Sequence, residues 1–368
     1  MQTSVKKLKI GNGFPQTSQS HKTLANISKK IIVKTENTKI AKIFADCAQQ
    51  AKDKTNICMF PGCTKKSINS HIMQKNGILS SIAEDNHLWE LKIDNFKQEY
   101  IGFKKDGINK IYTFFGFCNE HDASVFKKIE TEGKINFDDY TSCLLFALRT
   151  LHNEIWLKQV VIKLHECVLK NEEIPMNKEL LKITIEQNKL GILDMEFYKD
   201  SMWSDLKNQT QSFVFQHRQF ELQEICLNAS INYETPEEVY RYKVEHGKDM
   251  DRLTGIFISF FPYLGNSILL MGYHKDDAIL AKPYVNSYFK ENEKRTFRRL
   301  SNMFAFYVET WVCSTKFYKE KIEGLDSEFH KSMIFATEKG YGRKIFDINM
   351  FEKDFKKKFK DFIKRNVG

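Results

Sequence analysis

The chain has 368 residues with 30 Phe, 14 Tyr and only 6 Pro, a composition that describes a folded protein and excludes a disordered one. At this length two or more domains can each bury a core. The net charge is +10, yet it gathers at the ends: seven lysines precede Glu36 with no acid among them, and from Arg343 onward nine Lys or Arg face four acids. Attraction for polyanions is therefore expected from the termini and not from the nearly neutral middle.

Residues 1–40 read as a polar, flexible basic arm. They show no apolar signal core, and the first 35 residues contain no arginine, so neither a secretory nor a transit signal is expected. The eight cysteines then read as thiols of a reducing compartment, the cytoplasm, and not as a disulfide framework. Cys143, Cys167 and Cys226 sit among apolar residues and are expected to be buried thiols. "GNGFPQ" near the start lacks the Lys-Ser/Thr of a phosphate loop.

Residues 41–135 hold the chemistry-bearing cluster. Zinc takes four ligands in a tetrahedron, commonly supplied by two short knuckles from separate parts of a chain. "CMFPGC" offers Cys58-x4-Cys63, with Pro61 and Gly62 for the tight turn that aims both sulfurs at one point. "CNEHD" offers Cys118-x2-His121, followed by a helix expected to open at Asp122 with Phe126 and Ile129 facing inward. These spacings predict a structural Zn2+ site made of Cys58, Cys63, Cys118 and His121 in a treble-clef-like module. His71, in "INSHIM", is a fifth candidate: it can replace His121 as a ligand, act as a general base, or hydrogen-bond beside the site.

The remainder, 136–368, reads as a mixed helical and antiparallel β domain, which makes the fold class α+β. Leu144, Leu148, Leu151, Ile155, Ile162 and Val168 mark a helix over 137–170. Within it Arg149 and His152 are expected one turn apart as a surface pair. A second helical region is expected over 177–222 and strands over 223–275. The uncharged run from Leu253 to Tyr273 has the length of a bilayer span. Pro262, Gly265 and Asn266 in its centre predict a hairpin instead, and no membrane association. Helices are expected from Asp277 to Glu323, including "RRLSNMFAFYVETWV" as one apolar helix. The chain closes on "MFEKDFKKKFKDFIKR", where Phe351, Phe355, Phe359 and Phe362 form a stripe facing the core and lysines cover the rest.

The Cys pair, the histidine followed by Ile72, and the second knuckle opening a helix resemble the frame of HNH nucleases. That resemblance implies structural zinc on Cys58, Cys63, Cys118 and His121, His71 as the general base, and Mg2+ or Mn2+ at the cleavage site. The chain is also similar to bacterial proteins of unassigned function that share C-x4-C … S-H … G-F-C-x2-H-D … F-x2-I-E. Here these are Cys58, Cys63, Ser70, His71, "GFCNEHD" and "FKKIE", with "YVETWVCSTKFY" as a further segment; the likeness implies a bacterial setting such as phage defence. The sequence departs from the nuclease pattern where Ser70 replaces the usual Asp, "YTFFG" the usual Asn, and Asp122 the last metal-binding His. Two expectations follow. One is a zinc-stabilised binding or regulatory protein that engages nucleic acid through its terminal lysines, or a partner protein. The other is a degenerate HNH-type nuclease with His71 as general base.

Overall fold

A computed structural model describes residues 36–93, 101–130, 134–174, 176–308, 310–339 and 343–367. The expected basic arm lies outside them up to residue 35, and its last residues open the first helix. In chain order the elements are α1 (Glu36–Lys54), β1 (Asn69–His71), β2 (His87–Ile93), β3 (Ile101–Gly107), β4 (Thr113–Phe115), α2 (Asn119–Val125) and α3 (Lys127–Glu130). Two long helices follow, α4 (Tyr140–Leu169) and α5 (Lys178–Asn208). Next come β5 (Phe213–Glu221), β6 (Ile225–Asn232), α6 (Pro236–His246), β7 (Gly255–Tyr263) and β8 (Asn266–His274). The chain ends through α7 (Ala278–Phe289), α8 (Glu293–Asn302), β9 (Trp311–Cys313), α9 (Asp326–Lys339) and α10 (Phe355–Asn366).

Helix and antiparallel sheet are combined, as the α+β expectation holds. Seven strands run in the order β3-β2-β9-β6-β7-β8-β5, and every pairing is antiparallel. The hairpin expected at "PYLGN" is β7–β8, closed by Tyr263 opposite Asn266. Leu264 and Gly265 both take positive φ there, 48° and 79°, the backbone that a two-residue hairpin turn requires. Both strands are buried along nearly their whole length because both faces of the sheet are covered, which explains the unbroken apolar run. No described helix is long and apolar enough to cross a membrane.

One layer holds α4 and α5. They pack on Phe257, Phe261 and Leu270 of the sheet. The other layer holds α7 to α10, packed on Ile256, Ile258, Phe260 and Met271. Adjacent residues of β7 thus feed opposite cores, as the two-residue period of a strand dictates. Asp139 caps α4 by accepting from the Ser142 N–H at 2.6 Å, and Asn177 caps α5 in the same way.

Several expected boundaries move. The second helical region stops at Asn208, where Gln209 turns into left-handed backbone with φ 55°. "FVFQHRQFE" then becomes β5, because nine residues in register with β8 satisfy its backbone and bury Phe213 and Phe220. "RRLSNMFAFYVETWV" is not one helix: α8 ends at Asn302, a π-helical turn covers Met303–Tyr307, and the chain extends into β9. Trp311 anchors that strand, fully buried, with its Nε1–H donating to the Phe304 carbonyl at 3.1 Å. β9 fills the gap between β2 and β6. The 41–135 segment therefore contributes β2 and β3 to the central sheet as well as carrying the metal-ligand candidates.

The cysteines correct one expectation. Cys143 and Cys226 are buried free thiols, and burial pushes the Cys143 thiol up to about 12. Cys167 is not a free thiol: its sulfur is bonded to Cys47, joining α1 to α4 with the two Cα atoms 5.6 Å apart. A small separate core of Phe44, Val168, Ile174 and Leu181 surrounds that bond.

Candidate metal centre

The two knuckles meet because the backbone between them is stitched. The Met59 N–H donates to the Gly116 carbonyl at 2.8 Å, and the Ile68 N–H to the Phe117 carbonyl at 2.7 Å. Directly after Ile68, β1 pairs with β4, Asn69 opposite Phe115. Gly116 is required where the strands close up: a Cβ there would lie 2.3 Å from the Phe114 ring. Within the first knuckle the Cys58 N–H donates to the Lys65 carbonyl and the Cys63 N–H to the Phe60 carbonyl. Gly62 makes the turn with φ +78°.

Cys118 is the N-cap of α2, so the helix opens three residues earlier than Asp122, and the second knuckle is its first turn. The inward residues are as expected, Phe126 and Ile129 both being buried. The ligand atoms of Cys58, Cys63, Cys118 and His121 all lie within 4.8 Å of one another, an arrangement able to hold a metal ion. His121 Nδ1 is 3.4 Å from the Cys58 sulfur and 3.3 Å from that of Cys118. Cys58 and Cys118 are buried, Cys63 and His121 half-buried. The imidazole of His121 stacks on Phe60 with ring centroids 3.8 Å apart, and Phe60 meets the edge of Trp203 on α5.

Burial pushes the Cys58 thiol up to about 11, while the His121 backbone N–H, bonded to the Cys118 sulfur, pulls that thiol down. A buried thiolate needs a cation or hydrogen-bond donors to persist. Donors supply part of this at Cys118, and a bound cation would supply the rest for both.

His71 stands outside the group of four. Its Nε2 lies 2.8 Å from the Ile108 carbonyl oxygen. A carbonyl only accepts, so Nε2 carries the proton and Nδ1 keeps its lone pair in the neutral ring. Burial lowers the pKa of His71.

Arg149 and His152 are not a surface pair. Both are buried, at 2% and 0% exposure, because α4 runs beneath the knuckles. The Arg149 guanidinium bonds Glu130, lies 3.8 Å from Asp122, and sits 4.0 Å over the centre of the Phe126 ring. Asp122 Oδ1 is buried without a hydrogen-bond partner and has the Arg149 cation 3.8 Å away. His152 donates from Nδ1 to the Leu148 carbonyl at 2.8 Å and meets Trp203 edge-on; burial lowers its pKa to about 4. Sequence reasoning missed this buried arginine. The available signal was one cation set inside the apolar run "LLFALRTLHNEIW".

No protein-family model, curated protein or solved structure matches the chain.

Proposed function

We propose that the four-residue centre is a structural zinc site of treble-clef outline and that the protein acts by binding, engaging nucleic acid or a partner protein. Zn–S bonds of about 2.3 Å and Zn–N bonds of about 2.0 Å imply ligand-to-ligand edges of about 3.5–3.8 Å in a tetrahedron. The 3.3 and 3.4 Å separations from His121 to two of the sulfurs fit that size after slight expansion. The observation that carries this reading is the closed donor set. Four protein ligands fill a tetrahedron and leave no position for water or substrate, and Phe60 covers the imidazole. Asp122, the residue at the last metal-binding position of the nuclease pattern, lies 3.8 Å from the buried Arg149 cation, whose charge disfavours a second metal ion there.

A second reading, the degenerate HNH-type nuclease, draws on one feature: the unprotonated Nδ1 of His71, a neutral imidazole held in one tautomer by the Ile108 carbonyl. A cleavage assay on single- and double-stranded DNA and on RNA, with Mg2+ or Mn2+, separates the two. The binding reading expects no cleavage, or cleavage equal in wild type and His71→Ala. Loss of cleavage in His71→Ala at unchanged zinc content, one per chain by mass spectrometry, overturns it.

A further inference from the structure

The last helix divides its residues between two tasks. Phe355, Phe359 and Ile363, spaced four apart, are buried in the far layer. Phe355 stacks on Phe359 with centroids 5.2 Å apart. On the outer side Lys357, Lys360 and Lys364 are exposed at spacings of three and four, and Lys353 is exposed in the turn just before. At about 100° and 1.5 Å per residue, the three helical lysines fall within one arc of about 60° and span about 10 Å.

Their neighbours are differently placed. Lys358 is held by Glu352 at 2.8 Å and Asp354 at 3.0 Å, and Lys356 donates to the Lys319 carbonyl at 2.7 Å. Among the described residues, Lys353, Lys357, Lys360 and Lys364 have no carboxylate within ion-pair distance. Exposed Asp361 is the one acid on the helix. It stands beside Arg365, which donates to the Asp361 backbone carbonyl. The outer face therefore keeps a row of four unpaired ammonium groups, with Asp361 the one carboxylate on the helix within a turn of them, on a scaffold fixed by its aromatic underside.

We infer that the exposed Lys353–Lys357–Lys360–Lys364 row of α10 is a sequence-independent contact for the phosphate backbone of a nucleic acid. This rests on the binding reading above and names its partner. Ammonium groups act on phosphates as point charges and carry no base information. An anionic membrane is disfavoured by the same geometry. A membrane-surface helix immerses its apolar side in the lipid, whereas the apolar side of α10 is already inside the protein.

The test is fluorescence anisotropy of full-length protein with labelled random-sequence 30-mer DNA duplex and single strand, from 50 to 200 mM KCl, without Mg2+ or Mn2+. Each phosphate contact contributes about 0.9 to the slope of log K against log salt for duplex and about 0.7 for single strands. The triple variant Lys357→Gln, Lys360→Gln, Lys364→Gln should lower the slope by about 2–3 and weaken binding at least tenfold at 50 mM, with unchanged thermal melting. A charge-matched variant elsewhere (Lys182→Gln, Lys189→Gln, Lys248→Gln) should keep the wild-type slope. Three outcomes overturn the inference: no wild-type binding, equal slope losses in both variants, or, in a parallel sedimentation with phosphatidylserine vesicles, binding to the vesicles alone. None of these alters the zinc content or the cleavage result, so the inference and the reading beneath it fail separately.

Discussion

The two layers that flank the sheet are held by different physics. The α7–α10 layer is an aromatic interior, with Phe297, Phe304, Phe329, Phe346 and Phe359 among its buried residues. The opposite layer contains two segments, 58–72 and 113–130, built of three-residue strands and four- to seven-residue helices. Elements that short cannot bury enough apolar area to fix themselves. They pack on α4 and α5 through Ile72, Phe114, Phe117, Phe126 and Ile129, all buried, and carry two point attachments besides: the Cys/His cluster and the guanidinium of Arg149 beneath it. Where the chain lacks regular length, local charge and a cluster able to hold a metal add to buried area.

Removal of the proposed zinc breaks the comparison most strongly. Structural zinc contributes on the order of 10 kcal/mol in small zinc folds. Chelation, or Cys63→Ser, is expected to abolish amide-exchange protection across residues 57–72 and 113–130 while α10 stays protected. Equal loss in both layers would show that they do not differ as described.

Arg149→Ala comes next. It leaves Glu130 and Asp122 facing an empty buried site, and breaking a buried pair costs about 3–5 kcal/mol. Urea unfolding should show this loss, and Arg149→Ala with Glu130→Gln should recover part of it. On the other side, Phe359→Ala should cost about 3–4 kcal/mol through cavity formation, with zinc content unchanged. A drop in metal content there would mean the layers are coupled through the sheet.

The smallest expected effect is a pH dependence arising from the buried histidines of α4. His152 and His165, both on α4, are buried, and burial lowers each to about 4. The unfolded chain takes up protons below about pH 6.5 while the folded histidines remain neutral to about 4. Stability is thus fully present above about pH 6.5 and falls as pH drops towards 4, by roughly 3 kcal/mol per histidine. His152→Leu should reduce that slope in urea midpoints measured between pH 7 and 5; an unchanged slope would rule out His152 as a source.

Much of this was legible where the determinant is local. The Cys58/Cys63 and Cys118/His121 spacings, the periodicity of α4 and the Pro-Gly-Asn centre of the β7–β8 hairpin each lie within a few residues of what they specify. The missed features have distant partners. β5 carries an aromatic-polar pattern readable as helix or strand, and β8, over forty residues on, decides it. β9 is a strand because β2 and β6 flank it. Arg149 looks like a surface cation until α2 and α3 bring carboxylates over it, and Cys167 looks like a thiol until Cys47, 120 positions earlier, reaches it.

The Cys47–Cys167 bond also makes the polypeptide a closed loop with two tails. Both knuckles, β1 to β4 and most of α4 lie on the loop; the C-terminal layer hangs from one tail. A protease that cuts once between residues 48 and 166 opens the ring without releasing a fragment. The cut molecule keeps its mass on a non-reducing gel and separates into two pieces only when a thiol is added.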